Sequence, residues 1–426
     1  MPMTQSFRER LFPRLPEIIE RFGTPFHIYD LKGILETGNA MKEAFQRTPY
    51  RNYFAVKALP NPWILQALYN KLYFGFDCSS VPELALARKV GAFSDDIMFT
   101  SNNTSSEEFL AAKQEGGCLL NLDDVSLIPE VPGHFPKTIC FRINPGKSRT
   151  GNSIIGDPYN SKYGITLDQV VPAYRQAMER GAIHFGMHTM ICSNERKASY
   201  MVETVRMLLG LCLLLKNRLG LEVEFINMGG GFGIPYKPGQ KTLRLNWMAN
   251  HIVSLLEKFE LDNGWRPKLL SECGRYVTGP HGVLVSRVIN EKKTYRRYLG
   301  VDTGMPALMR PAMYDAYHKS DILDEYGRPV RGPLQRMSIV GSICENCDRL
   351  ATNRLLPKNA RRGNIVVTHD TGAHGIAMGF NYNGRLRPQE LLMVSGGEIV
   401  QIRRAEIQED LFRTIIEPPG WGQPVL

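Results

Sequence analysis

The sequence predicts a (β/α)₈ barrel followed by an all-β domain. Three observations carry that prediction. From residue 51, apolar strand-like runs alternate with helix-like segments, and eight strand candidates fall before residue 276. After about residue 276, short runs separated by Gly, Pro and Asn take over, the pattern of an all-β unit. The chain has 426 residues, which exceeds one ordinary core and suits a barrel with a second domain. An open doubly wound sheet shares the alternation; the count of eight favours closure.

In chain order, residues 1–23 read as amphipathic and helical. Thr24-Pro25-Phe26-His27-Ile28-Tyr29-Asp30 reads as a strand after a turn, and 31–47 carry a helical pattern. The barrel strand candidates are Tyr53–Lys57, Tyr73–Asp77, Asp96–Thr100, Cys118–Leu122, Thr138–Ile143, His184–Thr189, Glu224–Asn227 and Leu269–Glu272. Helix-like segments lie between most of them, among them Trp63–Asn70, Val81–Val90, Ser106–Gln114, Leu167–Arg180, Ser199–Arg218 and Trp247–Lys258. The β-domain candidates are Val283–Val288, Arg297–Val301, Arg336–Val340, Gly363–Val367, Glu390–Ser395 and Glu398–Arg403. The strand at 25–29 is expected to join them. The predicted division is a barrel over 31–276 and a sandwich- or barrel-like β domain built from 1–30 and 277–426.

Composition narrows the function classes. Hydrophobic content of 43% and charged content of 22% describe a soluble globular chain. Net charge is +10, but the basic residues are scattered, and the tightest run, Lys358-Asn359-Ala360-Arg361-Arg362, is short. No nucleic-acid partner is expected. The eight cysteines are irregularly spaced and several sit in apolar runs, which reads as reduced, cytoplasmic usage. Cys344-Glu345-Asn346-Cys347 is a lone CxxC with no second pair, so no metal site is expected. Residues 1–20 carry both charge signs and no apolar core, unlike a signal peptide. The longest apolar stretch, Met207 to Leu215, is far short of a membrane span, so no membrane partner is expected either.

Three stretches carry chemistry. Lys57 is the odd member of the apolar run Tyr53-Phe54-Ala55-Val56-Lys57. It is either a strand-end lysine reaching for water or an amine held in a pocket to form a Schiff base. Gly229-Gly230-Gly231 follows the seventh strand candidate. Such a run is either a tight turn or a loop whose N–H groups approach an anion, and barrels bind phosphate after strands seven and eight. Glu272 ends the eighth strand candidate. It is either half of a salt bridge to a helix or an active-site carboxylate able to hold a pyridine nitrogen protonated. Together the three would serve the amine, phosphate and pyridine chemistry of pyridoxal phosphate.

The chain resembles the ornithine/diaminopimelate decarboxylase family from about Thr24 to Val394, closest to its diaminopimelate branch. The resemblance implies an alanine-racemase-like barrel, a C-terminal β domain and pyridoxal 5'-phosphate as cofactor. Tyr53–Lys57 looks like the family's Schiff-base segment, with Lys57 the cofactor lysine. Phe76-Asp77-Cys78-Ser79-Ser80 with Glu83 is similar to the stretch whose Asp and Glu lie near the cofactor. Arg142, the Ser161–Gly164 stretch, Ser193 and Gly229–Gly231 match cofactor positions, and Glu272 the pyridine-nitrogen carboxylate. Cys344-Glu345 with Asp348 looks like a loop that enters the neighbouring subunit's active site, its cysteine protonating product. Tyr382-Asn383 resembles a pair whose tyrosine reaches the phosphate. Arg310 and Tyr314, with Arg275, match the residues that bind a distal carboxylate, and Glu345 the one that binds a distal amine. A homodimer with shared active sites follows.

Three departures stand out. Where the family has a second histidine stacked on the cofactor, this chain has Met190 in His188-Thr189-Met190-Ile191-Cys192-Ser193. A thioether can pack on a ring but cannot hydrogen-bond as imidazole does. His188 is either a partial substitute or a core histidine. The usual EPGR is Glu272-Cys273-Gly274-Arg275, and the usual GAY is Gly372-Ala373-His374. The expectation is an amino-acid decarboxylase, first for meso-diaminopimelate. Alternatives are a D-amino acid such as D-lysine or D-ornithine, or a siderophore or antibiotic intermediate. A racemase or an inactive regulatory homologue is further off.

Overall fold

The computed structural model describes residues 3–151 and 154–416. They form two compact units. One comprises 3–8, 30–282 and 370–377; the other comprises 9–29, 283–369 and 378–416. The boundary thus falls a few residues beyond the expected 276, and 3–8 and 370–377, expected in the β domain, group with the barrel.

Strand β1 (Phe26–Asp30) precedes the barrel. The barrel strands are β2 (Tyr50–Ala55), β3 (Gly75–Cys78), β4 (Ser94–Phe99), β5 (Cys118–Leu122), β6 (Thr138–Arg142), β7 (His184–His188), β8 (Phe225–Asn227) and β9 (Lys268–Ser271). They pair in parallel in chain order, and β9 closes on β2 through Tyr50↔Leu269 and Asn52↔Ser271. The strands are buried almost throughout, as covering both faces of a parallel sheet requires. One buried cluster takes Tyr53, Met98, Leu119, Cys140, Phe225 and Leu270 from six strands. Gly186 makes room there, because a Cβ at that position would collide with the Phe225 ring.

The helices follow their local signals. Pro62–Leu72 starts at Asn61, whose side chain accepts from the Trp63 N–H at 3.1 Å, and stops at Tyr73 in the left-handed conformation. Ser105 and Glu108 form a capping box on Ser106–Lys113. Among the described residues, Ala198–Leu219 is long and apolar enough to cross a membrane by length and composition. Its apolar face packs on the helices Val170–Glu179 and Leu245–Asn263 of the outer ring.

The second unit contains β10 (Gly282–Lys293), β11 (Arg297–Val301), β12 (Ser320–Leu323), β13 (Leu334–Val340), β14 (Arg349–Pro357), β15 (Ile365–Thr368), β16 (Gln389–Met393) and β17 (Ile399–Arg403). Sheet order is β14-β13-β11-β10-β1-β16-β17, with β15 paired to β10 and β12. The N-terminal strand therefore does join the β domain. Leu284, Val288, Leu299, Ile339, Leu350 and Val366 belong to its core. Strands β12 and β14 and the short helix Arg310–Tyr314 escaped the sequence patterns. β12 is four residues long, and β14 interrupts its apolar residues with Thr352, Asn353 and Arg354.

Candidate active site

The barrel's C-terminal mouth gathers most of the predicted residues. Strand β2 ends at Ala55, and Lys57 sits beyond it in the 3₁₀ turn Val56–Ala58. The expected strand to Lys57 is two residues too long. Val56 and Ala58 anchor the turn in the core while Lys57 is exposed. The turn is pinned by the His374 N–H, which donates to the Ala58 carbonyl at 2.8 Å.

β3 and β9 flank β2, and each brings a buried carboxylate. Glu272, just past β9, accepts from Asn227 Nδ2 at 2.7 Å through Oε1, and its Oε2 lies 3.2 Å from His188 Nε2. A carboxylate only accepts, so His188 Nε2 carries a proton that points at Glu272, while the Asn121 amide lies 2.9 Å from Nδ1. Burial alone would raise the Glu272 pKa. His188, Lys57 and Arg142 outweigh it and hold the carboxyl below its ordinary range, as an anion. Asp77 on β3 goes the other way. Burial first, then the negative Glu272, pushes it up to about 8 against the pull of Lys57 and Thr100. Its Oδ1 is buried without a hydrogen-bond partner among the described residues. Glu83 is also raised, by burial, although the Ser79 N–H donates to it at 2.7 Å.

Next to this pair lies the glycine loop. Gly229 and Gly231 have φ of +69° and +88°, which side-chain-bearing residues rarely adopt. A Cβ on Gly230 would stand 2.6 Å from the Glu272 carbonyl oxygen, so the loop and the carboxylate segment touch backbone to backbone. The Gly229 N–H donates to Asn227 Oδ1 at 2.9 Å. Asn227 therefore ties the loop to Glu272. β7 ends at His188, so Met190 stands past the strand, half-buried, with its sulfur 3.2 Å from the Gly230 nitrogen as acceptor. Arg142 donates to Asp123 at 3.2 Å and to the Met190 carbonyl at 3.4 Å, with its guanidinium 4.3 Å over the Tyr163 ring. Arg275 donates to the Tyr236 hydroxyl at 2.7 Å and to Ser193 Oγ at 3.3 Å.

The β unit holds the remaining predicted residues. Cys344 and Glu345 are exposed on the loop between β13 and β14. Asp348 staples that loop, accepting from the Met305 N–H at 2.6 Å and the Ile343 N–H at 3.0 Å. The Cys344 N–H donates to Asn383 Oδ1 at 2.7 Å. Glu345 lies beside the Tyr382 hydroxyl and raises the tyrosine pKa. Cys344, Glu345, Tyr382 and Asn383 are thus one cluster. Arg310 and Tyr314 stand at the two ends of their own short helix, Arg310 buried and Tyr314 exposed.

Sequence reasoning missed Asn121, Asn227, Tyr236 and His318. The first two carried a signal. Each is a lone amide in an apolar strand, Leu119-Leu120-Asn121-Leu122 and Phe225-Ile226-Asn227, as Lys57 is a lone amine in its run. Buried amides need partners, and these two orient His188 and Glu272.

A family model described as pyridoxal-dependent decarboxylase, pyridoxal binding domain, matches residues 31–279. Protein TabA of Pseudomonas amygdali pv. tabaci is 45% identical over 410 residues, covering 96% of this chain and 95% of that protein. Diaminopimelate decarboxylase of Methanothermobacter thermautotrophicus is 31% identical over 404 residues, covering 93% and 92%. The crystal structure of diaminopimelate decarboxylase from M. jannaschii in complex with L-lysine superposes with a TM-score of 0.86 at 30% identity, covering 95% and 94%.

Proposed function

The chain belongs to the pyridoxal-dependent decarboxylases, enzymes that use pyridoxal 5'-phosphate, and on that premise we propose that it removes the α-carboxylate of an amino acid whose far end bears an amine and a carboxylate, first of all meso-diaminopimelate, giving L-lysine. The observation that carries this reading is the exposed carboxylate of Glu345, set beside Tyr382 and one residue from Cys344. It is a ready partner for a distal ammonium.

The residues present fit the cofactor. Glu272 is an anion suited to a protonated pyridine nitrogen. The glycine loop, with positive φ at Gly229 and Gly231 and no side chains, lets the backbone come close to where a phosphate would bind. Asp77 Oδ1 is a buried acceptor with no partner among the described residues. When bound, the cofactor supplies an electron sink for the pair left behind by carbon dioxide. Lys57 supplies the amine that holds it. Asn227 and His188 keep Glu272 oriented and charged. Gly229–Gly231, Ser193 and Tyr382 take the phosphate, and Arg142, Asp77, His188 and Met190 line the ring. Cys344, with Lys57 as the other candidate, returns a proton to Cα. Arg275, Arg310 and Tyr314 hold the far carboxylate, where a planar guanidinium gives paired hydrogen bonds. Cys344 acts in a homodimer, from the neighbouring subunit. Eight free cysteines accord with a cytoplasmic setting.

A second reading has support in Met190, whose sulfur meets the glycine loop where the family carries an imidazole. A changed cofactor face suits a different substrate, such as D-lysine, D-ornithine or a siderophore or antibiotic intermediate. Carbon dioxide release by the holoenzyme on meso-diaminopimelate and on the D and L forms of lysine and ornithine separates the readings. We expect release from meso-diaminopimelate. Activity confined to L-ornithine would overturn the distal-carboxylate assignment.

A further inference from the structure

We infer that His318 is the positioning residue for Arg310, a neutral imidazole whose Nε2 fixes the plane of the guanidinium that meets the substrate's far carboxylate. The inference rests on the reading of Arg310 given above. The helix Arg310–Tyr314 ends at Asp315 in the left-handed conformation, φ +47°. That turn lets the Ala316 N–H donate back to the Arg310 carbonyl at 3.4 Å. Three residues after Asp315, the His318 ring lies against the Arg310 guanidinium, with Nε2 2.8 Å from Nη1. Both side chains are buried, Arg310 at 2% and His318 at 1% exposure.

The other ring nitrogen settles the tautomer. His318 Nδ1 is 2.8 Å from the His369 carbonyl oxygen. A carbonyl only accepts, so Nδ1 carries the proton. A guanidinium only donates, so Nε2 is the acceptor. The carbonyl itself is not free to drift. The His369 N–H donates to the Lys319 carbonyl at 2.8 Å, and the β12–β15 ladder starts one residue on, at Ser320↔Thr368. The order of support is ladder, carbonyl, imidazole, guanidinium. Arginine presents its donors in one rigid plane, so holding Nη1 orients the whole fork. Side chains that hold a binding group within a fraction of an ångström act through another residue, and their loss shows in substrate affinity.

Steady-state kinetics of the holoenzyme on meso-diaminopimelate test this with three variants. Arg310→Ala tests the reading beneath the inference, His318→Phe keeps ring shape without an acceptor, and His318→Gln restores an acceptor near Nε2. We expect Arg310→Ala and His318→Phe both to raise KM, His318→Phe by about tenfold and by more than it lowers kcat. His318→Gln should recover most of that loss. If Arg310→Ala raises KM and His318→Phe leaves it at the wild-type value, the inference falls and the reading stands. If Arg310→Ala leaves KM unchanged, or meso-diaminopimelate is not turned over at all, both fall. Should the His318 variants not fold, ¹⁵N NMR of the wild-type ring decides: a proton on Nδ1 is the expected result, and a proton on Nε2 overturns the inference.

Discussion

Two buried carboxyl groups flank Lys57, and the residues around them shift their pKa values in opposite directions. Glu272 has an amide and an imidazole N–H pointed at it, while Asp77 has a buried oxygen with no donor among the described residues. The consequence for Asp77 follows from linkage. An acid whose pKa is raised on folding, here from 3.8 to about 8, holds its proton more tightly when folded. Its contribution to stability is complete below its ordinary pKa and is lost as pH climbs through the folded value. Cofactor-free Asp77→Asn should therefore lose less Tm than wild type between about pH 5 and about pH 9. Parallel Tm curves for the two proteins would contradict the assignment. Glu272 has the opposite sign, so its contribution is present above the ordinary carboxylate range and is lost on the acid side.

At the scale of elements, the barrel was legible because parallel strands covered on both faces read as continuous apolar runs. Their ends were less so. Tyr53–Lys57 looks like one strand, but the backbone leaves the sheet at Ala55 and turns to expose Lys57. Apolar patterning records burial, and Val56 and Ala58 are as buried as the strand itself. The Gly229–Gly231 loop was legible as glycines; its contact with Glu272 was not, since the two lie more than forty residues apart. That contact makes Gly230→Ala informative. The added Cβ would displace the loop from the Glu272 carbonyl, lowering kcat/KM by about 10²-fold and weakening cofactor binding. Cofactor affinity equal to wild type would show that the loop is only a turn. On the other unit, Asp348 accepts two backbone N–H groups that nothing else in its loop replaces on truncation. Asp348→Ala should cost about 2 kcal/mol in denaturant unfolding and reduce activity through the Cys344 loop. A variant as stable as wild type would remove Asp348 from that role.

At the scale of the whole molecule, the proposed chemistry draws on both units. Lys57, Glu272 and the glycine loop belong to the barrel; Cys344, Glu345, Tyr382 and Arg310 belong to the β unit. The resemblance assigns Cys344 to the neighbouring subunit, which a mixing experiment can check. Lys57→Ala and Cys344→Ala proteins, each inactive, should regain about a quarter of wild-type activity when dissociated and reassociated together, because half the dimers then carry one intact site of two. No recovery would place Lys57 and Cys344 of one site in the same chain. On the proposed function, this site replaces an α-carboxylate with a proton on a two-ended amino acid. The direct measurement is NMR of the products formed from meso-diaminopimelate by the holoenzyme in deuterium oxide. Lysine with one deuterium at Cε, the carbon that lost the carboxylate, is the expected product, released together with carbon dioxide. Diaminopimelate recovered intact with deuterium at Cα would mean a racemase and would contradict it.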